Sequence, residues 1–137
     1  MSKYNANKVE LDGYIFDSKA ESLYYQYLLT LKAKEKIMNF ELQPQYILQP
    51  KYTKFGYNIR AITYIADFLI YHIDGSEEVI DVKGYEIPVG VIKKKMFNYT
   101  YPDLKLTWIA RSLKYSSTGW IECDKLKKLR RKAKNDK

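Results

Sequence analysis

Apolar residues recur at intervals of three and four between Ser18 and about Lys36. This spacing puts them on one face of a helix. The residues concerned are Ala20, Leu23, Tyr24, Tyr27, Leu28 and Leu31. Ser18 is a suitable N-cap, and Glu21 follows it at the three-residue spacing of a capping box. The pattern therefore predicts an amphipathic helix that packs one face against a core.

Extended segments follow this helix. Residues 40–48 contain an extended stretch that continues to Gln49 and is bracketed by Pro44 and Pro50. Two flanking prolines favour an edge strand or an irregular connection over a central strand. Residues 54–58 are typical of a turn, and residues 59–73 are rich in β-branched and aromatic side chains, which predicts one long strand.

The second half of the chain predicts a hairpin, a helix and a strand. Asp74-Gly75 is a strong hairpin signal, and residues 78–82 form the predicted return strand. Residues 93–101 fit a second helix that stops near Pro102, and residues 104–110 have the pattern of a buried strand. The predicted order is helix, three strands, helix, strand and then a basic C-terminal helix or tail, which indicates an α/β protein.

Length and composition fit a single soluble domain. The chain has 137 residues, of which 46% are hydrophobic and 29% charged, values typical of globular proteins. We expect residues 1–123 to form one domain and residues 124–137 a basic C-terminal helix or tail. The single cysteine, Cys123, excludes an internal disulfide framework. The single cysteine, together with an N-terminus that lacks the apolar stretch of a secretory signal, leads us to expect a reducing, intracellular location. No run of apolar residues is long enough to span a bilayer, so we expect no membrane partner.

The net charge of +8 is concentrated at the C-terminal end. Residues 124–137 carry eight basic and two acidic side chains and hence +6 of the total. Such a block is attracted to phosphate backbones through counterion release, which favours a nucleic-acid partner. The alternative is a solvated segment that only keeps the protein soluble.

The most informative polar residues interrupt the hairpin strands. Asp67 and Asp81 each lie within an apolar run, where aspartate is disfavoured. A two-residue turn at Asp74-Gly75 would place Asp67 opposite Val82. A bulge or three-residue loop would place it directly opposite Asp81, with the two carboxylates on one face.

Two interpretations of this hairpin remain open. Lys83 points to the same face as Asp81, because the strand period is two. Converging carboxylates favour a divalent cation such as Mg²⁺ or Mn²⁺, which takes oxygen ligands and lowers the pKa of bound water. In the alternative interpretation, Asp67 and Asp81 face solvent and Lys83 forms a cross-strand ion pair.

An acid in one strand followed after a hairpin by Asp-Val-Lys resembles the core motif of the PD-(D/E)xK nuclease superfamily. The matching residues are Asp67 and Asp81-Val82-Lys83, with Ala66 standing where that motif often has proline. The wider order, with 16–21 ahead of the first helix and Leu42-Gln43-Pro44 before the hairpin, resembles a family of small phage nucleases in that superfamily. It is also similar to Tn7-type transposon end-cleaving nucleases and to archaeal Holliday junction resolvases.

The resemblance implies an αβββαβ restriction-endonuclease-like core, with a central mixed sheet flanked by helices. It also implies phosphodiester hydrolysis that requires Mg²⁺ or Mn²⁺. It implies that Asp67, Asp81 and the Val82 carbonyl are metal ligands and that Lys83 positions the attacking water. It places Glu21 at the metal site too, a role that competes with its role in the capping box. The implied substrate is DNA, in phage recombination, replication or packaging, inside the host cytoplasm. A Holliday junction resolvase would be a homodimer, because it cuts two strands symmetrically.

Further residues are candidates for the site or for contacts with DNA. Gln43 is a secondary site candidate, and the expected DNA contacts are Lys93, Lys94, Lys95, Lys127, Lys128, Arg130 and Arg131. The lysines of the second helix have a solvated face as their alternative. His72 is expected to be structural and Cys123 inert. The competing function is a non-catalytic nucleic-acid-binding module that retains the nuclease fold.

Overall fold

The computed structural model describes residues 8–136. In chain order its elements are β1 (Val9–Leu11), β2 (Tyr14–Phe16), α1 (Lys19–Ala33), β3 (Ile37–Leu42), β4 (Gln45–Gln49), β5 (Tyr52–Lys54), β6 (Tyr57–Ile59), β7 (Ile62–Ile65), β8 (Phe68–His72), β9 (Glu77–Val82), α2 (Pro88–Thr100), β10 (Lys105–Arg111), β11 (Trp120–Glu122) and α3 (Cys123–Asn135).

The main sheet has five strands in the order β11-β10-β9-β8-β3. The β9–β10 pair is parallel and the other pairs are antiparallel, so the sheet is mixed. One apolar cluster includes residues of α1, and a second includes Phe97 of α2. The predicted α/β class, with a central mixed sheet and helices, is confirmed. Within the described residues, no helix is long and apolar enough to cross a membrane.

Helix α1 forms as its sequence predicts, although it ends at Ala33 and not near Lys36. The Ser18 side chain accepts a hydrogen bond from the Glu21 N–H at 3.1 Å, which caps the first turn. Tyr24 and Leu28 are buried against the main sheet. Glu35, at a φ of 57°, takes the left-handed conformation that commonly ends a helix.

The single strand predicted for residues 59–73 is wrong: the structure divides this segment into β6, β7 and β8. Of these, only β8 belongs to the main sheet, while β7 pairs with β4 and β6 with β5 in two separate ladders. The chain from Pro44 to Ala66 thus forms a hairpin that leaves the main sheet, which we call the arm. Two backbone hydrogen bonds close the base of the arm. The Gln43 N–H donates to Asp67 O at 2.9 Å, and the Ala66 N–H donates to Pro44 O at 3.1 Å.

Strands β8 and β9 pair in the register that a three-residue loop produces. Phe68 lies opposite Ile80 and Leu69 opposite Val79. At the loop, the His72 N–H donates to Ser76 O at 2.8 Å. Continued by one position, this register sets Asp67 beside Asp81, as the second of the two sequence alternatives requires.

Helix α2 begins at Pro88, five positions before the predicted start at Lys93. Proline suits the first turn of a helix, because its missing N–H would have no partner there. Phe97 is fully buried and packs with Leu48 and Tyr64 of the arm. Helix α2 therefore holds the base of the arm against the main sheet.

The basic C-terminal segment forms helix α3. Leu126 is buried while most of its basic side chains are exposed. The sequence did not indicate the short strands β1, β2 and β11. Of these, β1 and β2 form a separate hairpin near the start of α1, and β11 extends the main sheet beside β10.

Candidate active site

Asp67 and Asp81 meet where β8 begins and β9 ends. The Asp67 N–H donates to Asp81 Oδ1 at 2.9 Å, and the Val82 N–H donates to Asp67 Oδ2 at 2.8 Å. Each side chain is thus held by the backbone of the opposite strand. Asp81 is only 3% exposed, whereas Asp67 is half-buried. The two carboxylates that the sequence singled out are neighbours, with Asp67 on the more open side.

Glu21 reaches the same place from the first turn of α1. Its Oε2 accepts a hydrogen bond from the Asp17 N–H at 3.2 Å, so it stabilises the helix start. The same carboxyl group lines one cleft with Asp67, and its charge contributes to the raised pKa of Asp67. Its two roles were expected to compete. The hydrogen bond from Asp17 uses one of the two carboxylate oxygens, and the metal-site role of Glu21 stays a prediction.

Lys83 supplies positive charge next to the buried acid. Its Nζ lies 3.6 Å from Asp81 Oδ2 and 4.7 Å from the centre of the Trp108 ring. Lys94 of α2 lies 4.5 Å from the centre of the same ring. Two of the lysines named from the sequence therefore flank one indole, and an aromatic ring attracts cations through its quadrupole.

Tyr64 is a site residue that the sequence analysis did not identify. Its hydroxyl donates a hydrogen bond to Asp81 Oδ2, and the Trp108 Nε1–H donates to the Tyr64 oxygen at 3.0 Å. Tyr64 lies on β7 of the arm and Trp108 on β10. Their spacing gives no local motif, since only the folded sheet brings them to Asp81. This buried chain of donors fixes the orientation of the Asp81 carboxylate.

The clustering of acids changes their proton affinity. Burial, reinforced by the charges of Asp81 and Glu21, raises the pKa of Asp67 to about 8. Burial likewise raises the pKa of Glu21 to about 6, with contributions from Asp17 and Asp81. Burial and the charge of Asp81 also raise the pKa of Tyr64. Near neutral pH the cluster therefore favours holding a proton.

The open side of the cluster is a cleft of about 400 Å³. Glu21, Gln43 and Asp67 line it together with apolar residues of β2 and β3. Gln43 has a φ of 51°, in the left-handed region, at the point where the chain passes from β3 into the arm. The predicted secondary candidate thus lies beside the acids.

A divalent cation would have to be held by these carboxylates. Their oxygen donors are the chemistry that Mg²⁺ and Mn²⁺ prefer. A bound cation would also offset the charges of Asp81 and Glu21, which add to the effect of burial in raising the pKa of Asp67. As positioned, each of Glu21, Asp67 and Asp81 accepts a backbone N–H with one oxygen. Within residues 8–136 no three acidic, His or Cys side chains already surround a common point. The donor set fits the ion, and binding would require side-chain rotation. Val82 donates its N–H to the Asp67 carboxylate. The role of the Val82 carbonyl oxygen as a metal ligand stays a prediction.

The predicted DNA-binding lysines and arginines are distributed over two helices. On α2, Lys95 is exposed while Lys93 and Lys94 are half-buried. On α3, Lys127 is paired with Glu86, and Lys127 and Arg130 line a cleft of about 280 Å³ that also includes Lys83. Helix α3 therefore extends positive charge away from the site. Its remaining candidates, Lys128 and Arg131, are exposed.

His72 and Cys123, which the sequence analysis predicts to be structural and inert respectively, lie outside the acidic cluster. His72 Nε2 lies 2.8 Å from Glu78 Oε1, at the far end of the hairpin from Asp67. Cys123 is buried at the start of α3, where burial raises the pKa of its thiol. A raised thiol pKa opposes formation of the reactive thiolate.

Comparison with known proteins gives a family without an assigned activity. No curated protein matches the chain. A family described as "Protein of unknown function (DUF1064)" matches residues 1–117. That match includes the acidic cluster, Lys83, Tyr64, Trp108 and the whole arm, and it ends before α3. The chain therefore belongs to the DUF1064 family.

Proposed function

We propose that this protein is a metal-dependent DNA endonuclease of the PD-(D/E)xK type, which hydrolyses phosphodiester bonds with Mg²⁺ or Mn²⁺. The observation that carries the proposal is the meeting of Glu21, Asp67, Asp81 and Lys83 from separate elements. The order α1, β3, β8, β9, α2 and β10 around the main sheet supports it, because it follows the αβββαβ order of that fold.

The chain's own residues divide the chemistry between them. Glu21, Asp67 and Asp81 would hold the cation. When bound, the cation would lower the pKa of a bound water and stabilise the charge that develops on the phosphate. Tyr64 and Trp108 keep Asp81 oriented. Lys83, whose Nζ lies 3.6 Å from Asp81 Oδ2, would hold the attacking water or neutralise charge that develops on the phosphate. The attack is direct, without a covalent enzyme intermediate.

The proposal includes structure-selective action similar to that of Holliday junction resolvases, in phage recombination, replication or packaging. Cutting two strands of a junction symmetrically requires two sites, so we propose that the active form is a homodimer. The cleft at Glu21 and Asp67 is open, which leaves room for a nucleic-acid backbone beside the acids.

Incubation of the protein with branched, single-stranded and duplex DNA tests the activity directly. We expect cleavage in the presence of Mg²⁺ or Mn²⁺ and none with EDTA, read on denaturing gels. Absence of metal-dependent cleavage on every substrate, with DNA binding retained, would instead indicate a non-catalytic nucleic-acid-binding module.

Helix α3 is expected to contribute binding affinity through electrostatics. Lys128 and Arg131 are exposed and one turn apart, so the double variant Lys128→Gln/Arg131→Gln removes two charges without touching buried Leu126. We expect weaker binding to every DNA and a salt dependence of log K that is shallower by up to about 2, at roughly 0.9 per phosphate contact.

The matched control for α3 is Lys34→Gln/Lys36→Gln, which removes two exposed charges just beyond α1. Its binding slope should stay close to that of the wild type in the same fluorescence anisotropy titrations. Equal slopes for all three proteins would show that α3 is a solvated helix and not a DNA contact.

A further inference from the structure

The far end of the arm is an exposed two-stranded hairpin. All ten residues from 51 to 60 are exposed, and they comprise β5, β6 and the turn between them; we call this part the tip. An isolated two-stranded hairpin has little stability of its own in water. Since none of residues 51–60 is buried, the tip adds little to the hydrophobic core. Its aromatic and charged residues therefore need another explanation.

The two faces of the tip differ in chemistry. Tyr52 pairs with Ile59 and Lys54 with Tyr57, so these four side chains share one face. The opposite face includes Thr53 and Asn58, whose side chains are hydrogen-bonded at 3.1 Å. Tyr57 is 74% exposed and Tyr52 46%. The tip thus presents one aromatic face and one polar face to solvent.

The turn of the tip displays a third aromatic ring at its apex. Phe55 is 90% exposed and has a φ of 48°, followed by Gly56 at 79°. Two-residue turns of this kind favour asparagine, aspartate or glycine at the first position, because other residues are strained there. A large apolar side chain therefore occupies a position that is unfavourable both in conformation and in solvation.

The arm carries positive charge only. From Gln43 to Ala66 the sequence has no Asp or Glu, and its charged residues are Lys51, Lys54 and Arg60, all at the tip. Lys54 Nζ lies 5.8 Å from the centre of the Phe55 ring. Exposed aromatic rings interleaved with cations, without acids, complement a nucleic-acid strand, whose bases stack on rings while its phosphates attract cations.

The base of the arm links the tip to the candidate active site. Gln43 and Asp67 are joined by a backbone hydrogen bond, so the arm starts at the acidic cluster itself. On β4 of the arm, Ile47 O accepts a hydrogen bond at 2.8 Å from the hydroxyl of Tyr101, the residue that follows α2. Leu48 packs in the apolar cluster around Phe97. These contacts fix the base of the arm beside Asp67, and the tip projects from that base.

We propose that the tip binds unpaired bases of DNA, with Phe55 and Tyr57 stacking on them while Lys51, Lys54 and Arg60 contact the neighbouring phosphates. The proposal rests on the proposed function in taking DNA as the substrate, and it deepens that function by selecting DNA with single-stranded or branched regions. A fully paired duplex offers no free base faces to these rings. The arm would hold such a region while the adjoining strand lies at the acidic cluster.

A second copy of the chain is the other occupant that an exposed aromatic face allows. Two tips brought together would place three cations of each opposite those of the other, without an acid from the arm to compensate. Like charges in close contact oppose association. The charge of the tip therefore favours a polyanion over self-association.

The test measures binding in EDTA, so that cleavage does not enter. Fluorescence anisotropy would compare a forked DNA, a single-stranded oligonucleotide and a blunt duplex, for the wild type and for Phe55→Ala/Tyr57→Ala. We expect the double variant to lose about 10-fold or more in affinity for the forked and single-stranded DNA. Affinity for the duplex should change by less than about 3-fold, because phosphate contacts remain.

Two further variants separate stacking from general surface effects. Tyr99→Ala removes an aromatic ring that is 90% exposed on α2, and it should bind all three DNAs like the wild type. Phe55→Trp keeps a large ring at the apex and should retain the preference for forked DNA. Both variants change exposed positions, so thermal unfolding should confirm intact folds.

Three results would overturn the assignment of the tip. These are unchanged binding by Phe55→Ala/Tyr57→Ala, an equal loss on forked and duplex DNA, or conversion from dimer to monomer in light scattering without loss of DNA affinity. Failure of the nuclease proposal looks different: selective binding through the tip would persist, but no DNA would be cut with Mg²⁺ or Mn²⁺.

Discussion

Replacing Asp81 with asparagine is expected to reduce Mg²⁺-dependent DNA cleavage by a factor of about 10³ or more. The amide oxygen of the introduced side chain could still accept the Asp67 N–H that now donates at 2.9 Å, so the hairpin should keep its geometry. What is lost is the negative charge that would hold the cation. Single-turnover cleavage and DNA binding in EDTA should be measured side by side, since binding should be preserved.

The same loss of cleavage is expected for Lys83→Met, which keeps an aliphatic stem over Trp108 but removes the ammonium group 3.6 Å from Asp81. Lys105→Met is the matched control, because Lys105 is an exposed lysine on β10 that pairs with Glu78, at the opposite end of the sheet. The control should cut normally. If Asp81→Asn or Lys83→Met cleaves at the wild-type rate, the acidic cluster is not the catalytic centre.

Replacing Asp67 with asparagine should stabilise the metal-free protein at alkaline pH. The pKa of Asp67 rises from an ordinary value of 3.8 to about 8 on folding. The folded state therefore retains a proton that the unfolded chain releases, and stability falls as the pH rises from about 4 to 8. Asparagine has no charge to bury, so at pH 8 the variant should gain roughly 2 kcal/mol, or about 5 °C or more in Tm.

Thermal unfolding between pH 5 and pH 9 in EDTA measures this effect, with Asp103→Asn as a control at an exposed carboxylate. The control should follow the wild-type profile. Added Mg²⁺ should raise the Tm of the wild type more at pH 8 than at pH 6, because bound metal takes the place of the proton. A variant less stable than the wild type at pH 8 would mean that Asp67 is ionised and well paired.

The sequence was most informative where local rules and packing agree. The sequence of helix α1 combines an apolar stripe with the Ser18 cap, and the structure contains both. The strands β8 and β9 are rich in β-branched and aromatic residues, and Asp74-Gly75 marks their turn. Asp67, Asp81 and Lys83 lie within a few residues of this hairpin, so their proximity follows from one register. That part of the candidate site could be predicted because it is local.

Other features depend on contacts that no short segment contains. Residues 59–73 have strand character throughout, and nothing in their composition indicates that Ala66–Asp67 is where the main sheet ends and the arm begins. Tyr64 and Trp108 lie 44 positions apart and meet only through the sheet. Pro88 did carry a signal for the start of α2, because proline is favoured in the first turn of a helix. The sequence analysis did not use this signal, and it predicted that α2 begins at Lys93.

The loop between β8 and β9 has a consequence for how this chain can vary. Its residues Ile73, Asp74 and Gly75 take no part in the acidic cluster, yet their number decides which residue stands beside Asp67. If one of them were lost and the chain still turned over three residues, Ser76 would be drawn into the loop. Val82 would then stand opposite Asp67 and Asp81 would turn to the other face, because side chains alternate along a strand. Substitutions that keep the three-residue turn should therefore leave the acidic cluster intact. A change of loop length should be tolerated only where His72 stays paired with Ser76.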